Sequence, residues 1–98
     1  LKRLIIAASA HRDLEQIHDY IAKDSADAAS QWIDRLVSQF DILSAQPGVG
    51  RKRNEIRSGY RSIAEGDYVI FYRLAAGDAV EIVRIIHGKR NLNEALKD

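Results

Sequence analysis

Ninety-eight residues, 46% of them apolar and 30% charged, suffice for one folded domain (1–98) with a modest core and leave no room for two. The absence of cysteine excludes a disulfide framework, a thiol nucleophile and a thiolate metal site, and a net charge of +1 is far below what binding nucleic acid by charge alone requires. No run of eighteen apolar residues and no signal-peptide pattern is present, so neither a membrane span nor secretion is expected and the cytoplasm is the default location. The sequence starts at Leu1 and holds no methionine, so an initiator that was removed, or that lies outside it, is expected.

Lys2–Ala7 predicts a short strand around Leu4-Ile5-Ile6. Ser9 is the expected N-cap of a helix ending near Lys23, with Ala10, Leu14, Ile17 and Ile21 on one face. Ser25 is the expected cap of a second helix. Its stripe is Ala29, Ile33, Leu36, Phe40 and Leu43, widened by Trp32 and Val37, and Pro47 stops it. So short a connection makes the two helices antiparallel neighbours. Gly48-Val49-Gly50 then opens a loop to about Ser58, carrying the mobile basic run Arg51-Lys52-Arg53.

From Tyr60 to Arg90 the chain predicts three strands and two hairpin turns, at Gly66-Asp67 and at Ala75-Ala76-Gly77-Asp78. Pairing Glu65 with Tyr68 and Leu74 with Ala79 sorts the side chains onto two faces. One carries Arg61, Ile63, Ile70, Tyr72, Leu74, Val83, Ile85 and His87. The other carries Tyr60, Ser62, Val69, Phe71, Arg73, Val80, Ile82, Arg84 and Ile86. Both are apolar at their centres, and one helical hairpin covers only one of them. Asn91 followed by Glu94 fits the capping pattern of a last short helix, but the tail after Gly88 is too short to shield Val69, Phe71, Val80, Ile82 and Ile86 together. Each gains about 1.5–3 kcal/mol on full burial, so this face is expected to dock another polypeptide.

Few residues suggest chemistry. His11 and His18 stand roughly 10 Å apart along a helix, too far to share a metal, and are expected on its surface. Asp27, Asp34 and Asp41 read as a solvated helix face. Ser9, Ser25, Ser44 and Ser62 lack a nucleophile-elbow context, and Gly48-Val49-Gly50 lacks the Gly-Lys-Ser/Thr of a phosphate loop. No metal and no cofactor is expected. His87, beside Lys89 and Arg90, is a candidate acid or base or a structural donor. Arg73 and Arg84, set among apolar neighbours, call for carboxylates of a partner or for nucleic-acid phosphate.

Four fragments carry a resemblance in order along nearly the whole chain. They are Leu14-Glu15-Gln16-Ile17 with Tyr20-Ile21-Ala22, Glu55-Ile56-Arg57-Ser58-Gly59-Tyr60-Arg61, Tyr68-Val69-Ile70-Phe71-Tyr72-Arg73, and Val83-Arg84-Ile85-Ile86-His87-Gly88-Lys89-Arg90. Together they resemble the RelE/ParE toxin superfamily, the ParE branch most closely. The resemblance implies an α+β domain of the RelE-like fold: an N-terminal strand, an antiparallel α-hairpin, a three-stranded antiparallel meander and a short C-terminal helix or tail. It implies the toxin of a type II toxin–antitoxin system that arrests growth by binding DNA gyrase, without catalysis of its own. Its partner would be a ParD-like antitoxin, joined in a hetero-oligomer and touching operator DNA only through that antitoxin.

On this reading Arg73, Arg84, His87, Lys89 and Arg90 contact the target, and Val69, Phe71, Val80, Ile82 and Ile86 hold the antitoxin. The RelE branch resembles ribosome-dependent messenger endoribonucleases, which would make His87, Arg84 and Arg90 catalytic. That branch commonly has an arginine where Val69 stands, and an isopropyl group cannot stabilise a transition-state phosphate. A protein-interaction module without toxicity is the third reading.

Overall fold

The computed structural model describes residues 2–96; Leu1, Lys97 and Asp98, the outermost residues of the predicted domain, lie outside them. Five strands form one mixed sheet: β1 (Leu4–Ile6), β2 (Arg51–Lys52), β3 (Arg61–Glu65), β4 (Tyr68–Ala75) and β5 (Ala79–His87), in the order β1-β5-β4-β3-β2. Two antiparallel helices, α1 (Ala8–Ala22) and α2 (Ala26–Ala45), pack on one face. The short α3 (Leu92–Ala95) lies against the other. The architecture is the expected α+β arrangement, with two additions. β1 joins the sheet parallel to β5, opposing Leu4 to Val80 and Ile6 to Ile82. The supposed loop after Pro47 contains a 3-10 turn (Pro47–Val49) and the two-residue β2, whose exposed Arg51 and Lys52 carry no apolar pattern to betray a strand.

Local chemistry explains the helix boundaries. Ser25 caps α2 as expected, its Oγ accepting from the Ala28 N–H at 3.1 Å. Pro47 cannot continue the helix, which ends at Ala45. Ser9 is not a cap: α1 begins one residue earlier, and the Ser9 hydroxyl donates to the Val83 carbonyl at 2.7 Å, binding the helix to β5. Ala29, Leu36, Phe40 and Leu43 are buried in α2, the last three in one cluster with Ala10 and Ile17 of α1. Val37 is 40% exposed and does not widen the stripe.

The register corrects the predicted faces. Glu65 does pair with Tyr68, but Leu74 pairs with Val80 rather than Ala79, because the β4–β5 connection holds three residues, Ala76–Asp78. A one-residue slip turns every following side chain over. Val80 and Ile82 therefore join Tyr72 and Ile70 under the helices, both fully buried. A bulge opposite Phe71 and Tyr72 then inserts Val83, after which Phe71 pairs with Arg84 and Val69 with Ile86, restoring the expected faces for Ile85 and Ile86. Val83 consequently lies on the face opposite the one predicted.

That second face is not open, contrary to expectation. Phe71, Val83, Ile86 and Leu96 form a small buried cluster, flanked by Ile56, Tyr60, Val69, Leu92 and Ala95. The segment between β2 and β3 folds back on itself, the Arg53 N–H donating to the Tyr60 carbonyl at 2.8 Å, and lays Ile56 and Tyr60 against the sheet. The Arg53 guanidinium sits 5.5 Å from the Phe71 ring centre. The tail supplies the rest, its helix started as predicted by Asn91, whose Oδ1 accepts from the Glu94 N–H at 3.3 Å. The tail to Leu96 and the β2–β3 segment together suffice because the register moves Val80 and Ile82 under the helices and leaves Val69, Phe71, Val83 and Ile86 on this face.

Candidate functional site

Asp13 of α1 is buried, and its carboxylate takes three hydrogen bonds: from Arg84 Nε at 2.7 Å, from Arg84 Nη2 at 3.1 Å and from the Ile85 N–H at 2.8 Å. Arg84 Nη1 also donates to the Ala95 carbonyl at 2.7 Å, and Arg57 reaches the Leu96 carbonyl at 3.4 Å. A two-pronged arginine–carboxylate pair satisfies the cost of burying both charges. Arg84 thus ties α1, β5 and α3 together.

Beside this pair opens a cleft of about 590 Å³, between α1 and the end of the sheet where the β3–β4 turn at Asp67, the start of β4 and the end of β5 meet. Asp13, Gln16, Ile17, Tyr20 and Ile21 line it at alternating steps of three and one, the spacing of a single helical face. Trp32, Tyr68 and His87 form an aromatic row along it. Trp32 meets Tyr68 edge to face at 5.3 Å, and Tyr68 meets His87 likewise at 5.4 Å. Arg35 stacks 4.0 Å over the Trp32 ring and is held by Glu65 at 2.7 Å, which also accepts from Gln39 at 2.7 Å. Gly66 is required at the turn: its φ is +57°, and an added Cβ would stand 2.3 Å from the Trp32 ring.

Burial, reinforced by the nearby Asp67 carboxylate and Tyr20, holds the Tyr68 hydroxyl above the usual tyrosine pKa. His87 Nδ1 accepts from the Lys89 N–H at 3.2 Å, which leaves Nε2 to carry the proton of the neutral ring. The Arg90 N–H donates to the His87 carbonyl at 3.0 Å, folding the basic turn back beside the cleft that Arg90 lines. Asp67 lines the same rim. Among the described residues, no group of three or more His, Cys, Asp or Glu side chains could hold a metal ion.

The structure therefore divides the candidate residues. His87 and Arg90 come together at the cleft, and Lys89 is exposed beside them. Arg73 lies apart, paired with Glu81 across the strands at 2.7 Å on an exposed surface. Arg84 is committed to Asp13. None of the five apolar residues expected to receive a partner offers an open surface: Val80, Ile82 and Phe71 are fully buried, Ile86 is 1% exposed, and Val69 is half-buried against the second cluster. Sequence reasoning missed Tyr20, Trp32 and Tyr68 as a site. The one available signal was Tyr20, an aromatic one step outside the apolar stripe of α1.

An α-hairpin on one face of a five-stranded mixed sheet, with a basic turn after the last strand, defines the RelE-like class of small toxins. A family model described as the ParE toxin of the type II toxin–antitoxin system, parDE, matches residues 4–92, and the chain belongs to this family. Toxin ParE1 of Mycobacterium tuberculosis is 30% identical over 95 residues, covering 96% of this chain and 97% of that protein. Among solved structures, a chain of the chromosomal ParDE toxin–antitoxin system from P. aeruginosa superposes with a TM-score of 0.75 at 22% identity, over 88% of this chain and 95% of that one. A chain of the toxin–antitoxin complex RelBE2 from Mycobacterium tuberculosis gives a TM-score of 0.66 at 24% identity, over 88% and 96%. No helix among the described residues is long and apolar enough to cross a membrane.

Proposed function

We propose that the chain inhibits DNA gyrase by binding and is neutralised by a small ParD-like antitoxin. The observation that carries the binding reading against messenger cleavage is the commitment of Arg84 to Asp13. A phosphate-stabilising arginine must present its guanidinium to substrate, and this one is engaged within the fold. Val69, at the strand position where the nuclease branch has an arginine, packs against the cluster under α3. His87 has no carboxylate partner among the described residues to hold it as a general base. Target contact on this reading falls to the exposed turn of His87, Lys89 and Arg90. The antitoxin pairing is supported by membership of the ParE toxin family.

Purified protein added to a gyrase supercoiling assay and to a translating-ribosome assay tests the reading. Accumulated cleaved DNA–gyrase complexes with intact message are expected. Trimmed message with unaffected gyrase would overturn it, and Lys89→Glu with Arg90→Glu should reduce the gyrase effect about tenfold or more if the turn makes the contact.

A further inference from the structure

We propose that the cleft beside α1 binds a free α-amino acid with a large apolar side chain, its ammonium at Asp67, its carboxylate at Arg90 and its side chain against Trp32 and Tyr68. The inference gives the chain a small-molecule ligand and stands apart from the gyrase and antitoxin readings.

The rim carries the two charges that such a ligand needs. The segments bearing Asp67 and Arg90 are clipped together: the Asp67 carbonyl accepts from the Gly88 N–H at 2.8 Å, and the Arg90 N–H donates to the His87 carbonyl at 3.0 Å. Both side chains line the cleft and are exposed, yet they form no ion pair with each other or with any other described residue. Asp13, the other carboxylate of the lining, is taken by Arg84 and the Ile85 N–H, and His87 Nδ1 by the Lys89 N–H.

Opposite charges on neighbouring segments select a zwitterion. Asp67 repels a bare phosphate, Arg90 repels a polyamine, and the interior of a polypeptide has neither free terminus. A free amino acid offers a carboxylate to the forked Arg90 guanidinium and an ammonium to Asp67.

Between these charges the lining is apolar and preformed. Ile17, Tyr68, Ile85 and Ile86 line the cleft and are themselves buried. Trp32 meets Tyr68 at 72° and Tyr68 meets His87 at 77°, so the aromatic row turns corners instead of lying flat. Such a corner takes an apolar side chain on its faces and draws an ammonium to its π-electrons. Trp32 is held before any ligand arrives, with the Arg35 guanidinium 4.0 Å from its ring centre. Tyr20, 71% exposed, adds a large aromatic surface to the same cleft. The volume of about 590 Å³ lies within the roughly 300–1,000 Å³ of small-ligand sites.

Trp32 is the only tryptophan of the chain and lines the cleft, so its emission reports occupancy. L-Phenylalanine would be titrated into the full chain beside phenethylamine, which lacks the carboxylate, and hydrocinnamate, which lacks the ammonium. L-Phenylalanine should shift or quench Trp32 emission with a dissociation constant of about 1 mM or tighter, as a ligand of this size allows. Each single-charge analogue should bind about tenfold more weakly. Asp67→Asn should weaken L-phenylalanine about tenfold while sparing hydrocinnamate, and Arg90→Gln should do so while sparing phenethylamine. Asp41→Ala, on the exposed flank of α2, should leave all three unchanged.

Silence toward L-phenylalanine and L-leucine up to about 10 mM, by emission and by calorimetry, would overturn the proposal. Equal binding of all three probes would make the cleft a plain apolar surface. A response to inorganic phosphate or putrescine as strong as that to L-phenylalanine would make it an anion or a cation site. Quenching that grows with the concentration of the chain alone would make it an interface between two copies. Selectivity for L-phenylalanine with neither variant weakened would place the ligand elsewhere. Each of these results overturns the proposal, and the comparison of probes on the unaltered chain does not depend on any variant folding.

Discussion

The two faces of the sheet are built from the same strands and sealed by different means. Under α1 and α2, large side chains such as Phe40, Leu36, Tyr72, Ile70 and Ile82 are fully buried, and the seal is mostly apolar packing. Under α3, the cluster of Phe71, Val83, Ile86 and Leu96 is small, and polar fastenings help hold its cover: Asn91 starts the helix, while Arg84 and Arg57 reach its last carbonyls. The difference teaches that a short tail can close an apolar face where arginines anchor it. The groove lies at the seam of the helix-covered side, where α1 parts from the β3–β4 turn and the end of β5.

The sharpest way to break this contrast is truncation in each cluster. Phe40→Ala should destabilise by about 3–5 kcal/mol and Leu96→Ala by about 2 kcal/mol, since a four-residue helix can relax into the space. Urea unfolding measures both, and equal losses would show that the two seals are energetically alike. Next is the fastening itself. Asp13→Ala leaves a largely buried Arg84 and the Ile85 N–H without their carboxylate and should cost about 3 kcal/mol. A loss under 1 kcal/mol would mean that solvent reaches this pair freely.

A smaller effect sharpens the comparison from the helix side. The Tyr72 hydroxyl donates to the Pro47 carbonyl at 2.7 Å and accepts from the Gly50 N–H at 2.8 Å, so Tyr72→Phe should cost about 1–3 kcal/mol. Burial, only partly offset by the Gly50 hydrogen bond and Arg61, raises its pKa above the ordinary value of 10.0. The neutral hydroxyl is favoured in the fold, so this stability is fully present below pH 10.0 and is lost as pH rises through the folded value. Thermal unfolding across the alkaline range should therefore show a steeper decline in the wild type than in Tyr72→Phe. The smallest change belongs to the solvated part of the α3 side of the sheet. Arg73→Ala removes a cross-strand pair with a 46% exposed arginine and should cost no more than about 1 kcal/mol in the same urea experiment.

Much of the fold was legible because its signals are local. The stripes of α1 and α2, the Ser25 and Asn91 caps, the stop at Pro47 and the Gly66-Asp67 turn depend on residues a few positions apart. Val80 and Ile82 were misplaced because the β4–β5 turn is one residue shorter than the four-residue loop its sequence suggests, and Val83 because a bulge reverses the alternation again; neither has a mark in residue type. The exposed β2 gave no apolar pattern at all. At the site, His87 and Arg90 were visible as a charged ending to a strand. The aromatic row of Trp32, Tyr68 and His87 joins three elements far apart in the chain and left no local trace.

By itself, the sequence determined the helices, four of the five strands and the helical pairing, because periodicity, capping and turn chemistry act over a few residues, and four of its fragments carried the resemblance to the family. Tertiary structure alone decided which side of β5 faces the helices and that Asp13 takes Arg84, 71 residues away. It likewise decided that the tail closes the second face, and that a groove opens beside α1. Those outcomes depend on register and on the meeting of distant charges, and neither is encoded in any short stretch of the chain.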